Sequence, residues 1–487
     1  MLHYDGKTCN SFAVQIKNGA GQFEMGHRKF THVFDGFGKL YSWNLESPDR
    51  TTASFSTKFI RSLFYNASLS SGEIATYLLF EMPDPPYDLL ERTEAMLRGT
   101  DNMNINVLQL GSTDKCFLAV SDFWQSYKFH PFTLDVISRV DDDLPLNNVW
   151  SRLRLLPIPS TSHPVPENPD LSSYISFYSL LSPLSGLFGG SVNVIRISSE
   201  DEQRELIASI PMDPVPYMHC LGLSRNYAIL FAHPLFLDFY WMLRTADPSR
   251  SLNWEPEHGM DIYLVHLTDR TVIKVTTEAD FITHHINAYE DKTLLYVDMI
   301  AYPNPDLFKN LHVDILLNSE IRDAINVNNV IKRYIIDLIA KTVTVTTFDL
   351  THDLQFINHL DMPVINERFR RSSYCYAYGN VVKSDGIRYA NTTLVKKELC
   401  GRNGEDLAWH APNHYPSEPW FIERPKATRE DDGVLLSVVL DGEERRSYLA
   451  VFNATTLQMM SRSYLPTVVP FTLHGRHFDV SDDANGK

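Results

Sequence analysis

Histidine is the residue type whose placement in this sequence most suggests chemistry. The chain contains 18 histidines, and four settings stand out because they combine apolar strand-like runs with turn residues. These settings contain His163 in TSHPVPENPD, His219 in PVPYMHCLGLSRNY, His284 and His285 in FITHHINAYED, and His474 in VPFTLHGRHF. Neutral imidazole is a common metal ligand, so four such residues meeting at one point would form a metal site. Taken singly, each histidine is more often a residue satisfied by ordinary hydrogen bonds.

Other catalytic signatures are missing from the sequence. There is no GxxxxGK[ST], no HExxH, no GxSxG and no GxGxxG after a strand-like run. A P-loop enzyme, a zincin and an α/β-hydrolase therefore each lack their core motif. The formal net charge of −16 argues against a nucleic-acid partner, because nucleic-acid binders carry clustered Lys and Arg.

The five cysteines are odd in number and far apart in the chain, and no CxxC pair occurs. This pattern predicts neither a zinc ribbon nor a disulfide framework. The N-terminal sequence MLHYDGKTCNSF lacks the charged-then-apolar pattern of a signal peptide. We therefore expect a cytoplasmic protein with reduced thiols.

The elements that must position the histidines are short β-strands. Runs rich in β-branched and aromatic residues recur about every ten residues with turn signals between them. Two segments predict hairpins, DIYLVHLTDRTVIKVTT and SYLAVFNATTLQMMSRSYL. Further strand-like runs are FLAVSDF, VNVIRIS, YAILFAH, TLLYVDMI, TVTVTTFDL and GVLLSVVL. Helical windows are fewer, the better ones being STKFIRSLFYNA and DLFKNLHVDILL.

This pattern predicts an all-β fold of a single large domain over residues 1–480, with 481–487 as a disordered tail. The best coarse interpretation is a divergent β-propeller with helical and loop insertions on one face. In a propeller of this length a blade takes roughly 60–70 residues, more than the common repeats. The four settings are separated by 56, 65 and 190 residues, so one histidine from each of several innermost strands could converge on the axis.

Taken in order, many of these segments resemble the carotenoid cleavage oxygenases, the family that includes β-carotene dioxygenases and the retinoid isomerohydrolase. The resemblance covers nearly the whole chain and is closest to the animal branch. It implies a seven-bladed β-propeller with iron on its axis. The matching segments are IKNGAGQFEMG, THVFDGFGKLYSW, PDPPYD, PVPYMHCLGLSRNYAILF, HHINAYED, LDMPVINERFR, SEPWFI, EDDGVLLSVVL and FTLHG.

The resemblance implies that His163, His219, His284 and His474 bind one Fe(II) cofactor. Nitrogen ligands suit iron, and four of six octahedral positions leave two open for dioxygen and substrate. Adjacent side chains on a strand point to opposite faces, so only one histidine of the doublet can be a ligand. Relatives place that histidine three residues before an Asn, here Asn287, which selects His284. His285 is then expected to face away as a hydrogen-bonded neighbour.

Relatives also place three Glu residues behind the last three histidines. The matching positions here are Asp122, Asp361 and Glu418. A ligating histidine commonly donates its second ring N–H to such a carboxylate. Two of the three are Asp, about 1.5 Å shorter in reach than Glu, so we expect either an inward shift of the backbone or a bridging water. The alternative is that Asp122 and Asp361 are ordinary turn or strand-end carboxylates.

Membrane contact is a further expectation. The apolar segment LFLDFYWML at residues 235–243 matches the region where relatives touch membranes, although an apolar helix packed in the core fits equally well. In the animal branch the loop that matches PDPPYD carries a Cys. Pro86 stands at that position, which removes lipid attachment there.

The favoured function is a dioxygenase that uses O2 to split one double bond of a carotenoid, most specifically β-carotene to retinal. A retinoid isomerohydrolase and an apocarotenoid-cleaving enzyme are alternatives on the same fold. Stilbene cleavage is disfavoured, since those relatives place Lys before the first carboxylate and Ser121 stands here. A propeller that binds an apolar ligand without catalysis, with a degenerate iron site, is the remaining alternative.

Overall fold

Seven antiparallel sheets of four or five strands make up most of the molecule. They are seen in a computed structural model that describes residues 11–45, 53–110, 116–140, 159–181, 189–325, 329–348, 360–382, 392–401 and 406–481. The sheets follow one another along the chain and form the blades of a seven-bladed β-propeller. The predicted fold class is therefore confirmed, while the predicted tail lies almost entirely outside the described residues.

The blades are numbered in chain order, and their strands are given from the axis outward. Blade 1 contains Gly475–Ser481, Ser11–Ala20, Gly38–Asn44 and Ser54–Phe59, and blade 2 contains Asn106–Leu110, Cys116–Val120, Ser126–Phe129 and Val136–Val140. Blade 3 contains Val165–Pro166, Ser173–Leu180, Gly190–Ser198 and Arg204–Met212, and blade 4 contains Gly222–Leu223, Tyr227–Ala232, Met260–His266 and Val272–Thr277. Blade 5 contains Phe281–Asp291, Leu294–Tyr302, Val330–Asp337 and Thr342–Phe348, and blade 6 contains Asp361–Val364, Tyr376–Val382, Thr392–Glu398 and Leu407–Trp409. Blade 7 contains His414–Pro416 and Trp420–Glu423, both paired with Gly433–Asp441, then Arg446–Asn453 and Met459–Tyr464.

Blade 1 closes the ring because it takes strands from both ends of the chain. The C-terminal strand Gly475–Ser481 pairs antiparallel with Ser11–Ala20, in a register that sets Lys17 opposite Gly475. Gly475 is required there, since a Cβ at this position would collide with the Ile16 carbonyl. The N-terminal strand is thereby fixed beside His474, the residue that precedes the closing strand.

The middle strands are continuously apolar because blades cover them on both sides. In YAILFA of blade 4, Ala228 and Leu230 pack toward blade 3, whereas Ile229 and Phe231 pack toward blade 5. Alternating side chains thus fill two different inter-blade cores, which explains the unbroken apolar runs. Outermost strands such as Met459–Tyr464 face solvent and are polar.

The predicted strands and both predicted hairpins are confirmed, but one of the helical windows is partly wrong. In STKFIRSLFYNA, the first half belongs to the strand Ser54–Phe59, and helix α1 begins only at Leu63. The helix starts there because Ser62 caps it, accepting a hydrogen bond from the Tyr65 N–H. The second window forms two short helices rather than one.

In the described part of the chain, short helices and two small hairpins are inserted in the connections between blades and between strands of one blade. Helix α2 begins with a capping box formed by Asp88 and Glu91, and it packs its Met96 in the same small core as Met242 of helix α3. The helices are α1 Leu63–Ser71, α2 Leu89–Arg98, α3 Phe239–Thr245, α4 Pro248–Ser251, α5 Asp306–Asn310, α6 Val313–Leu317 and α7 Ser319–Asp323, with 3-10 turns at Val33–Asp35, Pro256–His258 and Glu367–Phe369. The hairpins are Glu24–Met25 with Arg28–Lys29, and Leu235–Leu237 with Leu252–Trp254.

A disulfide joins Cys375 to Cys400, contrary to the expectation of reduced, unpaired cysteines. The two residues flank the hairpin formed by the second and third strands of blade 6, where the Leu399 N–H bonds to the Cys375 carbonyl. This pairing brings their Cα atoms to 4.9 Å, within the range that a disulfide spans. Their spacing of 25 residues gave no sign of it, because only the strand register makes them neighbours.

Candidate metal centre

Each of the seven blades delivers one polar side chain to the axis. The four histidines singled out from the sequence come from blades 1, 3, 4 and 5, at or next to the innermost strands. The three carboxylates come from blades 2, 6 and 7. Asp122 follows the second strand of blade 2, Asp361 begins the innermost strand of blade 6, and Glu418 lies between the two inner strands of blade 7. The structure therefore brings all seven predicted residues together.

Four ring nitrogens meet at the axis. One nitrogen from each of His163, His219, His284 and His474 lies within 4.8 Å of the other three. The Nε2 atoms of His163 and His219 are 3.0 Å apart, and those of His284 and His474 are 3.2 Å apart. The five ring pairs in contact are steeply inclined, at 70 to 88°, so the edges of the rings converge rather than stack.

Asp122 supports His219 directly. Its Oδ2 lies 2.7 Å from His219 Nδ1 and also accepts the Tyr217 hydroxyl at 3.0 Å, while Oδ1 accepts the Ser162 N–H at 3.2 Å. Burial alone would raise the pKa of Asp122, but the His219 imidazole and these donors hold it below its usual value. Burial likewise lowers the pKa of His219, yet Asp122 raises it above the ordinary value overall. The shorter side chain therefore needs no bridging water.

Asp361 supports His284 in a similar way. Its Oδ1 lies 2.6 Å from His284 Nδ1 and accepts the Met362 N–H at 2.8 Å, and its Oδ2 accepts the Tyr302 hydroxyl at 2.6 Å. The strand is bulged between Asp361 and Val364, and Met362 has φ of 52° in the left-handed region. This local distortion displaces the backbone, which is how a shorter carboxylate makes direct contact with the imidazole.

Glu418 supports His474 with a different partner. Its Oε1 lies 2.8 Å from His474 Nδ1, and its Oε2 accepts the Lys17 ammonium at 2.6 Å and the Gly475 N–H at 3.0 Å. Lys17 also donates to the Glu418 carbonyl at 2.9 Å. Burial would raise the pKa of Glu418, but Lys17 and His474 lower it to about 2. This carboxylate is therefore ionised at any ordinary pH.

The ring protons of these histidines indicate what belongs between them. Contact with a carboxylate places the proton of His284 and of His474 on Nδ1 and leaves a lone pair on each Nε2. Two lone pairs 3.2 Å apart repel unless a cation lies between them. Four imidazole donors suit Fe, Zn, Cu or Ni, so the residues present fit a transition-metal ion held by His163, His219, His284 and His474.

His285 does not belong to this group. The strand Phe281–Asp291 is irregular on either side of His285, between Ile282 and His285 and again between His285 and Asn287, so the doublet does not alternate simply. His284 joins the cluster, whereas His285 lies outside it. Its Nε2 is buried without a hydrogen-bond partner among the described residues. His285 therefore lies outside the cluster, as predicted, but its Nε2 lacks the hydrogen bond that was expected among the described residues.

A group of aromatic side chains adjoins Tyr217, whose hydroxyl binds Asp122 of the centre. Phe308 of α5 contacts both Tyr217 and Phe281, with ring centroids 5.8 and 5.3 Å apart. Phe34 and Phe80 extend this group, at 6.1 and 5.2 Å from Phe308. Sequence reasoning missed Lys17, Tyr217 and Tyr302 as partners of the carboxylates. Only Tyr217 carried a usable signal, because it lies two residues before His219.

The family profile of the retinal pigment epithelial membrane protein matches residues 14–479. The chain belongs to the carotenoid oxygenase family. The prediction that this chain is an oxygenase is therefore confirmed. Of the curated relatives, a carotenoid isomerooxygenase of Galleria mellonella is 27% identical over 94% of this chain and 90% of its own. The Homo sapiens beta,beta-carotene 15,15'-dioxygenase is 24% identical over 94% and 88%.

Solved structures share the fold. An apocarotenoid oxygenase variant of Synechocystis superposes with a TM-score of 0.79 at 21% identity, covering 98% of this chain and 95% of that one. A cobalt-substituted form of the Synechocystis enzyme gives a TM-score of 0.79 at 20% identity, covering 96% and 92%. Within the described ranges, no helix has the length and apolar character needed to cross a membrane.

Proposed function

We propose that this chain is a non-haem Fe(II)-dependent dioxygenase that cleaves one conjugated double bond of a carotenoid, with β-carotene to retinal as the specific reaction. The observation that carries the proposal is the convergence of four imidazoles, three of them backed by buried carboxylates. This donor set occurs in a chain whose family contains carotenoid-cleaving relatives. Four neutral ligands would leave two octahedral positions of the iron open, enough for dioxygen beside the alkene.

The ion, when bound, supplies the activation of dioxygen. The chain's own residues have other tasks. Asp122, Asp361 and Glu418 fix the tautomer and the orientation of three imidazoles, which keeps their Nε2 atoms directed at the axis. Oxidative cleavage of an alkene needs no protein general base, and the mechanism requires none of these carboxylates to transfer a proton.

The aromatic group beside the centre fits an apolar polyene better than a polar substrate. Phe34, Phe80, Phe281 and Phe308 offer ring faces and edges without charge. Such a surface binds a conjugated hydrocarbon by burial and dispersion and excludes water from the reacting bond. Tyr217 and Tyr302 point their hydroxyls at Asp122 and Asp361, so their polar atoms are already engaged.

Helices α2 and α3 support the proposed contact with a membrane. Leu89, Leu90 and Leu97 of α2 are 74 to 80% exposed, and Tyr240 and Trp241 of α3 are 68 and 48% exposed. The two helices share one small core, so these side chains extend outward from adjoining elements. A surface of this kind fits peripheral binding to a bilayer, the source of a lipophilic substrate. It includes part of the predicted segment 235–243.

A cytoplasmic location with peripheral membrane contact remains part of the proposal. The Cys375–Cys400 disulfide is the observation against it, because disulfides persist mainly in oxidising compartments. Thiol alkylation in intact cells, before and after reduction, decides between the two. Alkylated Cys375 and Cys400 without prior reduction support the cytoplasm, and protection of both until reduction contradicts it.

Direct contact between the aspartates and the imidazoles, at 2.7 and 2.6 Å, weighs against a degenerate, non-catalytic site. The isomerohydrolase and apocarotenoid reactions remain alternatives on the same centre. The test is a product assay with β-carotene under O2 and under argon, with iron quantified on the same sample. Retinal formed only with O2 supports the proposal. Iron-loaded protein that gives no oxygen-dependent product contradicts it, and parallel incubations with a retinyl ester and an apocarotenal identify the alternative reactions.

A further inference from the structure

Three side chains with metal-binding atoms lie together in blade 6, separate from the four histidines. They belong to Cys375, Glu398 and Cys400, and one donor atom of each lies within 4.8 Å of the other two. Cys375 precedes the second strand of the blade, Glu398 ends the third strand, and Cys400 follows two residues later. We call this group the blade-6 cluster. The proposed cleavage of a carotenoid does not use it.

Glu398 is a buried carboxylate without a counter-ion. Its side chain is 9% exposed, and among the described residues no lysine, arginine or histidine lies at ion-pair distance from it. The two lysines that precede it in the strand pair with aspartates instead. Its Oε1 accepts the Cys400 N–H at 2.7 Å and its Oε2 accepts the Gly401 N–H at 3.1 Å, so each oxygen is held in place with a lone pair to spare. A buried, unpaired carboxylate is costly, which favours a cation beside Glu398.

The sulfur atoms of Cys375 and Cys400 form the disulfide, so they can bind a metal only after reduction. Cys375 is 8% exposed and Cys400 is half-buried, so a thiol reductant reaches the Cys400 sulfur first. The reductant's thiolate attacks that sulfur and forms a mixed disulfide, which releases the Cys375 thiolate. A second thiol of the reductant then displaces Cys400 and leaves as the reductant's own disulfide. Two electrons pass to the protein, and the two cysteines become free thiols on protonation.

Two thiolates and one carboxylate form a donor set for a thiophilic divalent cation. We propose that the reduced blade-6 cluster binds one Zn(II) through the sulfur atoms of Cys375 and Cys400 and the carboxylate of Glu398. Zinc accepts both kinds of ligand in a tetrahedral arrangement, and three protein ligands leave the fourth position to solvent. Each thiol gives up its proton when the metal binds, so two protons are released for each ion.

The proposal gives the same two cysteines a role under both redox conditions. In an oxidising compartment the disulfide joins the residues that flank the hairpin of blade 6. In a reducing compartment the disulfide opens, and the metal ion would link the same residues and offset the charge of Glu398. This role does not depend on the metal at the four histidines or on the proposed reaction.

Cd(II) is the probe, because cadmium bound to thiolate gives an ultraviolet charge-transfer band that nitrogen and oxygen ligands do not give. The iron-loaded protein is reduced with a phosphine, freed of the phosphine under argon and titrated with Cd(II). We expect one Cd(II) per chain with this band after reduction, and no band while the disulfide is intact. A reduced protein without the band would overturn the proposal. This comparison needs no substitution, so it decides the proposal even where a variant does not fold.

Two cysteine variants locate the bound ion. Cys400→Ser should abolish the band, whereas Cys220→Ser, which removes a buried free thiol outside the cluster, should retain it. A band that survives in Cys400→Ser, or one that is lost only from Cys220→Ser, would place the metal elsewhere and overturn the proposal.

Glu398→Gln tests the third ligand. The amide keeps the size of the side chain and removes its charge, so we expect the affinity for Cd(II) to fall at least about 10-fold. Glu430→Gln is the matched control, because Glu430 accepts the Cys375 and Tyr376 N–H groups but does not belong to the cluster. Its affinity should stay close to that of the unmodified protein. Disulfide formation on oxidation, followed by intact mass, checks the fold of both variants. Unchanged affinity in Glu398→Gln, or an equal loss in Glu430→Gln, would overturn the three-ligand site.

Discussion

His474 and His284 are supported by two different kinds of buried carboxylate. Behind His474, Glu418 is paired with the Lys17 ammonium at 2.6 Å. Behind His284, Asp361 has the neutral Tyr302 hydroxyl at 2.6 Å, and behind His219 Asp122 has Tyr217 at 3.0 Å. Among the described carboxylates within reach, none supports His163. The carboxylate behind His474 is therefore paired with a cation, whereas the carboxylates behind His284 and His219 are bound by neutral hydroxyl groups.

The difference determines how strongly each carboxylate raises the pKa of the histidine in front of it. Lys17 neutralises part of the Glu418 charge, and burial keeps the pKa of His474 below its ordinary value despite that carboxylate. Asp122 has only neutral donors besides its histidine, and it raises the pKa of His219 above the ordinary value although burial opposes this. Asp122 thus makes the His219 imidazole a stronger electron donor, and Asp361 lies against His284 Nδ1 in the same arrangement, at 2.6 Å. Glu418 of blade 7 instead holds both the N-terminal and the C-terminal strand of blade 1, because it accepts the Lys17 ammonium and the Gly475 N–H.

The largest expected effect comes from Lys17→Met. The side chains of Lys17 and Glu418 are 1% and 7% exposed, so the substitution leaves a buried carboxylate without its cation, which costs about 3–5 kcal/mol. Chemical denaturation measures this loss. Lys58→Met is the matched control, since Lys58 lies on the same blade in a solvent-exposed pair with Asp135, and no measurable loss is expected. Equal losses of unfolding free energy in Lys17→Met and Lys58→Met would contradict the stabilising role given to the buried Lys17–Glu418 pair.

Asp361→Asn tests the other kind of support. The amide keeps the shape of the side chain but removes the charge behind His284, and loss of such a partner lowers metal affinity by roughly 10–100-fold. Titration with Co(II), followed by its visible absorption, measures the affinity. Asp306→Asn, at an exposed position of helix α5, should bind Co(II) like the unmodified protein. Unchanged affinity in Asp361→Asn would contradict the role given to the aspartates.

Tyr302→Phe and Tyr217→Phe should have the smallest effects, and they should differ. Each removes a hydroxyl donor from a buried carboxylate, and hydrogen bonds to charged groups contribute about 1.5–3 kcal/mol. We expect a loss near the lower end of this range for Tyr302. The loss for Tyr217 should be smaller, because its hydroxyl lies 3.0 Å from Asp122, whereas the Tyr302 hydroxyl lies 2.6 Å from Asp361.

Thermal unfolding, together with the Co(II) spectrum, checks this pair of substitutions. Tyr240→Phe, at an exposed hydroxyl on α3, provides the baseline. A larger loss of stability in Tyr217→Phe than in Tyr302→Phe would contradict the expected order of the two substitutions.

Side chains in regular β-strands and in family motifs could be predicted from the sequence. The strand pattern predicted the propeller, and the resemblance named the four histidines and three carboxylates that the axis brings together. The partners of those carboxylates could not be predicted, because Lys17 lies 401 residues from Glu418 and Tyr302 lies 59 from Asp361. Their contacts depend on ring closure and on strand bulges. The Cys375–Cys400 disulfide was missed because only the strand register of blade 6 brings the two residues together.

The measurement that tests the central claim most directly is the iron content per chain of His284→Ala beside His285→Ala, each purified and reconstituted under identical conditions. In the structure His284 belongs to the four-histidine cluster, and His285 lies outside it. We predict close to one iron per chain for the unmodified protein and for His285→Ala, and almost none for His284→Ala. Iron retained by His284→Ala and lost from His285→Ala would contradict the assignment of the centre.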